Sequence, residues 1–385
     1  MHRAVILLVA ASLLPVASLA ADAARTAPGA GRPARSARTP PPTAPVGPYL
    51  ATLLWTNLPP VRMDGADTVL QLGPFTTAIA WDEVVLSWNV QPAAGAALRA
   101  EVRAVYSDHA TRWYPLGTWS LDDTARRASV KLPADDHAEV RTDILALAIP
   151  AHTGEVRFTL LGELARHPER LRRVAVSLSA EPESGGRAPL KEAWGRTNDV
   201  PQRSQVSYPE GRAWCSPTSI SMLLAWWARE LGRPALDLDV PVVARGVHDP
   251  AWPGTGNWSF NAALAGAQPG LAAFVTRLRD LRDLEMLTAA GLPPAVSVSY
   301  GILKGGARED DDGHLVVIAG FTPGGDPVIN DPWAKLAEGQ PVRRVYRRAD
   351  LEKAWVESRR TAYLVLPEAR LPEVAKLIGA ELKQP

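Results

Sequence analysis

The sequence predicts an α+β protein in two parts: an all-β antiparallel sandwich domain at 49–182, then a domain of mixed helices and strands at 200–368. Three observations carry this. Through the first segment apolar residues alternate at period two, as in Val84, Leu86, Trp88 and Val90, which half-buried strands require. Beyond residue 199 a broad apolar stripe appears at helical spacing, in Met222, Leu223, Trp226 and Trp227. Between the two, 183–199 is polar and contains glycines, which suits a linker.

Taken in chain order, the first twenty residues read as a secretory signal. His2-Arg3 are followed by an apolar run from Ala4 to Val16, and Ser18-Leu19-Ala20 offers small residues for cleavage. The expected location is therefore secreted or periplasmic, with no transmembrane segment once the signal is removed. Residues 21–48 form a Pro/Arg-rich linker, with seven prolines and four arginines between 22 and 48. Short strands follow at 84–90, 100–106, 113–119, 127–132, 156–161 and 173–179, separated by turn residues and without a convincing helix. Trp55, Trp81, Trp88, Trp113 and Trp119 fall in this part. Such aromatics suit either a core or a platform for a cell-envelope glycan.

In the second part, helices are expected at 217–231, 239–247, 259–267 and 280–290. Strands are expected at 296–300, 315–321, 328–330, 342–346 and 362–366, and 369–385 reads as a C-terminal tail. The length of 385 residues and 46% hydrophobic content supply two cores. With 42 basic and 41 acidic side chains the net charge is +1, which argues against a nucleic-acid partner because phosphate binding needs a basic excess. One cysteine excludes an internal disulfide and any multi-thiolate metal site. The seven histidines show no metal-ligand spacing, so neither metal nor cofactor is expected. Glu309-Asp310-Asp311-Asp312 lacks the interleaved ligands of a calcium loop and reads as solvated. Gly-x-Ser-x-Gly, Walker and His-Glu-x-x-His patterns are missing.

Cys215 is the most informative residue. It stands before a helix, with Ser216 suited to the N-cap and Pro217 to the first helical position. The helix dipole and free N–H groups there favour a thiolate, although cysteine also packs as a small hydrophobe. A nucleophile needs a base and an orienting group. His314 opens an apolar strand, and Asp331 ends the next one beyond the Gly324-Gly325 turn, so the two are expected side by side. Singly, the histidine fits a structural role and the Asp before Pro a turn. An oxyanion donor would come from the Cys215 N–H and from the Gln205 side chain, with Gln202 as rival. Trp214, Trp258 and Trp333, with Trp252, are candidates to line substrate subsites, and core packing explains them equally well.

Gln205, Cys215-Ser216-Pro217-Thr218, Gly313-His314 before a Val/Ile strand and Asn330-Asp331-Pro332 together resemble a C39-like cysteine peptidase of the papain-like fold. The resemblance extends to Gly256-Asn257-Trp258-Ser259-Phe260-Asn261 and to the upstream β part of exported bacterial members. It implies thiolate attack by Cys215, acid–base work by His314, orientation by Asp331 and oxyanion binding by Gln205, on a peptide or protein substrate. The Gln-to-Cys spacing is longer than the papain-like pattern. Two alternatives remain open: cleavage of peptidoglycan stem peptides by the same residues, and a non-catalytic protein that binds envelope glycan.

Overall fold

Two strands far longer than the usual five or six residues organise the first half. They are Asp67–Val90, with 24 residues, and Ile144–Gly162, with 19. The computed structural model describes residues 49–132, 134–182, 186–309 and 313–384. The signal and linker expected at 1–48 and the acidic residues 310–312 lie outside them. Asp67–Val90 and Ile144–Gly162 pair antiparallel, with register shifts at Leu72/Phe75, Thr76/Trp81 and Trp81/Glu83. Bulges of this kind bend a strand and increase its twist.

The long strands carry a ten-stranded sheet. Its order is Glu381–Lys383, Leu50–Trp55, Leu171–Ser179, Asp67–Val90, Ile144–Gly162, Ala96–Val105, Tyr114–Ser120, Ala128–Leu132 and Ala138–Thr142, with Arg62–Asp64 beside Asp67–Val90. Ala138–Thr142 also pairs back onto Ile144–Gly162, which closes a ring of hydrogen-bonded strands. The expected period-two strands are present, and the architecture is α+β. A separate sandwich is not delineated. The same two bent strands run through the whole network, so the hydrogen bonding never divides into two facing sheets.

The second sheet has the order Leu271–Arg277, Thr361–Pro367, Ala295–Ser299, Gly313–Phe321, Pro327–Asn330, Arg343–Val345, with Arg196–Thr197 beside Gly313–Phe321. The helix Cys215–Glu230 lies against it, buried from Ser216 to Ala228. Trp227 Nε1 donates to the Val365 carbonyl at 2.7 Å and Ser219 Oγ to that of Leu315 at 3.1 Å. Helices Val240–Val247, Trp258–Gly266 and Leu281–Ala289 match the expected ones within a residue or two. Arg348–Val356 is a further helix. The expected tail at 369–385 carries a helix, Leu371–Ile378, and a strand, Glu381–Lys383, that joins the first sheet in parallel with Leu50–Trp55.

The sheets meet through an edge. Leu271–Arg277 ends the second sheet, so alternate backbone groups on its outer side lack a strand partner. Side chains of the first sheet supply one. The N–H groups of Ala273, Val275 and Arg277 donate to Asn89 Oδ1 at 3.1 Å, Ser87 Oγ at 2.9 Å and Ser177 Oγ at 3.2 Å. Asn89 Nδ2 returns a bond to the Ala273 carbonyl at 2.7 Å, and Thr52 and Thr276 hydroxyls meet at 2.6 Å. The period-two spacing of 273, 275 and 277 is that of one strand edge. Both halves accordingly belong to one compact unit.

The tryptophans of the first half face inward. Trp55, Trp81, Trp88 and Trp119 are buried. The Trp113 ring already stacks with the guanidinium groups of Arg103 and Arg157, at 4.6 and 4.5 Å. None of the five offers a free aromatic face to a sugar, so the expected glycan platform is not formed by them.

Candidate active site

Cys215 is the first residue of its helix, which starts two residues earlier than the sequence suggests. Trp214 occupies the N-cap, and its carbonyl accepts the Thr218 N–H at 2.9 Å. Ser216 does not cap; its hydroxyl lies 3.1 Å from the buried Tyr363 hydroxyl. Trp214 makes no side-chain cap, so the N-cap residue itself offers the leading N–H groups no side-chain acceptor. The turns before the cysteine, Gln205–Ser207 and Gly211–Ala213, are short 3₁₀ segments. Gly211 is required between them, because a Cβ there would overlap the Gln205 carbonyl.

Gln205 is buried in this approach. Its Nε2 donates to the carbonyls of Gly211 at 3.0 Å and Arg212 at 2.9 Å, while Oε1 has no partner among the described residues. Both amide protons therefore hold the turn that leads to Cys215. Gln202 is placed elsewhere, with Oε1 accepting from the Arg343 N–H at 3.1 Å.

His314 and Asp331 come together as expected. His314 is the second residue of Gly313–Phe321, opposite Val298, and Asp331 follows directly on Pro327–Asn330. The turn between these strands contains Gly325 at φ +87°, a conformation that favours glycine. His314 Nε2 lies 2.8 Å from Asp331 Oδ1, and both residues are buried. The Cys215 thiol, partly exposed, lies near enough to the same imidazole for His314 to lower its pKa. With Nε2 engaged by the carboxylate, Nδ1 is the nitrogen left for sulfur.

The electrostatics follow from these contacts. Burial pushes the Cys215 thiol up, but the His314 hydrogen bond and charge, with the N–H groups of Leu315 and Ser216, outweigh it and leave it below the ordinary value. Burial lowers the His314 pKa, yet bonds to Asp331 and Cys215 bring it to about 9. Burial likewise opposes charge on Asp331, and its donors hold it well below the usual carboxylate range. The lowered thiol and the raised imidazole both shift toward a thiolate beside an imidazolium.

Sequence reasoning missed the groups around Asp331. Oδ2 accepts from Tyr346 Oη at 2.6 Å, Tyr300 Oη at 3.1 Å and Arg344 Nη1 at 3.3 Å, and Oδ1 also accepts from the Trp333 N–H at 2.9 Å. Burial and the carboxylate charge raise Tyr300 to about 12 and push Tyr346 further up. The Tyr300 ring also packs on His314, centroids 4.5 Å apart. A signal existed: two of the expected strands, 296–300 and 342–346, end in tyrosine.

The aromatic candidates divide. Trp214 adjoins Cys215 and packs on Tyr208 at 5.9 Å, and Trp333 binds Asp331 through its backbone. Trp258 instead begins the helix Trp258–Gly266 with the Arg277 guanidinium over its ring at 5.2 Å. Among the described residues no group of three His, Cys, Asp or Glu side chains is placed to hold a metal ion. Among those residues, too, no helix is long and apolar enough to cross a membrane.

Known families fit this layout. Residues 197–363 match the Peptidase_C39 like family, which spans the helix and both strands of the site. That segment is thus similar to C39-like domains. Residues 71–179 match the Peptidase C39 N-terminal domain, which falls within the first sheet. A crystal structure of a candidate C39-like peptidase from Bacillus anthracis aligns at 17% identity and a TM-score of 0.34. The alignment covers 48% of this chain and 99% of that one. No curated protein matches the sequence.

Proposed function

We propose that this chain is an exported cysteine peptidase that hydrolyses peptide bonds through a thioester on Cys215. The observation that carries the reading is the single thiol at a helix start, beside an imidazole that is itself bonded to a buried carboxylate. The Cys215 thiolate attacks the substrate carbonyl carbon, and the His314 imidazolium gives its proton to the departing amine. The thioester is then hydrolysed by a water whose proton passes to His314, which releases the acid and restores the thiolate beside the imidazolium. Asp331 orients the ring and stabilises its cationic form.

The backbone N–H of Cys215 is the natural donor to the oxyanion at the helix start. Gln205 joins it only by giving up a carbonyl it now holds; otherwise it acts by fixing the turn. Trp214 and Trp333 would flank the substrate. The same chemistry on peptidoglycan stem peptides is the neighbouring choice of substrate.

The test is the rate of Cys215 alkylation by iodoacetamide from pH 4 to 9, together with peptide-library cleavage. Reactivity that persists below pH ~6 is expected. Cys215→Ala and His314→Ala should each remove essentially all cleavage. A single inflection near ~8.5 would mark an ordinary thiol and end the proposal.

A further inference from the structure

One segment near the cysteine is tied at both ends to the other half of the molecule. Residues 249–257 leave the helix Val240–Val247 and enter the helix Trp258–Gly266. At the first end, buried Arg127 donates through Nη1 to the carbonyls of Arg245 at 3.0 Å and His248 at 2.9 Å. Buried Asp249 accepts the Ser129 N–H at 3.0 Å on Oδ2, and on Oδ1 the Ala251 N–H at 3.0 Å. At the other end Asp143 Oδ2 accepts the Trp258 N–H. Asp143 sits in the tight turn after Thr142, whose φ is +64°, a conformation that costs a β-branched residue energy and needs support.

The middle of the segment is bound to the approach to Cys215. Thr255 Oγ1 donates to the Ala213 carbonyl at 2.8 Å, two residues before the thiol, and Asn261 Nδ2 holds the carbonyls of Thr255 and Asn257 at 2.8 Å. Trp252 stays 45% exposed at the tip. Its ring lies against Gly254 and Gly256, where a Cβ would stand 2.9 and 3.2 Å from it. The glycines thus let the indole lie flat along the loop with one side in solvent.

We infer that residues 249–257 form one wall of the cleft beside Cys215, that Trp252 is the face they offer to an apolar substrate side chain, and that the N-terminal half holds this wall in place through the positioning residues Arg127, Ser129 and Asp143. The substrate assignment rests on the peptidase reading; the anchoring does not. The N-terminal sheet is then a built-in scaffold for the site. Its tryptophans, buried or already stacked, are consistent with that role.

Amide hydrogen exchange on the full chain tests the anchoring. Asp143→Ala and Arg127→Met should speed exchange across 248–258 by about tenfold while the strands of the second sheet keep their protection. Asp143→Asn, which retains an acceptor for Trp258, should stay near wild type. Unchanged exchange in this segment, or equal loss in the Asn and Ala variants, overturns the anchoring. Exposed Trp252 gives a test that does not threaten the fold. Trp252→Ala should slow labelling of Cys215 by a Phe-containing peptidyl chloromethyl ketone about tenfold and leave iodoacetamide labelling unchanged. Equal peptidyl labelling in wild type and variant overturns the wall. A wild type showing no preference for the peptidyl reagent over iodoacetamide would instead sink the peptidase reading, and the exchange result would still decide the anchoring.

Discussion

His314 Nε2 meets Asp331 Oδ1 at 2.8 Å with both side chains buried, and the opposite oxygen of that carboxylate is held by Tyr346, Tyr300 and Arg344. The carboxylate is therefore a structural hub as well as the proposed orienting group. Asp331→Ala would strand a guanidinium and two hydroxyls, and breaking a buried charged network of this kind costs about 3–5 kcal/mol. Asp331→Asn keeps one acceptor oxygen and should fold. Without the negative charge the imidazolium loses its main support, so iodoacetamide labelling at pH 5 should fall sharply. Chemical denaturation and labelling rates separate the two effects; an Asn variant with wild-type labelling at pH 5 would show that the carboxylate charge is irrelevant to the thiol.

On the proposed mechanism, Cys215 and His314 set a pH window for turnover. That mechanism requires the thiolate and the imidazolium together, so the rate should rise as pH passes the lowered Cys215 value and fall as His314 deprotonates near pH 9. Removing the Tyr346 hydroxyl takes one donor from Asp331 and should leave this window in place with a modest loss of rate. A kcat/KM profile with its only inflection near the ordinary thiol value would contradict the ion pair.

How much of this was readable beforehand depends on the range of the interaction. Cys215, His314 and Asp331 were legible because each sits at an element end that local spacing reveals. Tyr300, Tyr346 and Arg344 were not, since nothing local says that two strand-end tyrosines and a mid-strand arginine converge on one carboxylate. The strand Leu271–Arg277 escaped because its burial is continuous and lacks alternation. The tail was misread for a related reason: Glu381–Lys383 is a strand only because Leu50–Trp55, more than three hundred residues earlier, accepts it. The sandwich expectation failed where two strands ran on through their bulges.

Asp143 makes a prediction about stability. Burial raises its pKa to about 7, although the Trp258 N–H and the Arg277 charge pull the other way. Its folded pKa thus lies above the unfolded value of ~3.9. Between these values the native state binds more protons than the unfolded one, so stability falls as pH rises through this range. The difference in Tm between wild type and Asp143→Asn should therefore widen, in favour of the variant, from pH 4 to pH 7.5. A constant difference across that range would mean that Asp143 is not held neutral by the fold.

The covered strand edge predicts that the two halves stabilise each other. Ser87→Ala, Asn89→Ala and Ser177→Ala each leave a backbone N–H of Leu271–Arg277 buried without its acceptor, at a cost of about 1–3 kcal/mol. Asn89→Ala should cost most, because its side chain both accepts from and donates to Ala273. Ser87 and Asn89 serve neighbouring residues of the strand, so their combined loss should depart from the sum of the single ones. A fragment beginning at residue 186 would expose that edge and should self-associate or fail to fold. Urea titration of the single and triple variants checks the first claim, and sedimentation of the fragment the second. A monomeric, cooperatively folded fragment would show that the N-terminal sheet is dispensable to the domain it covers.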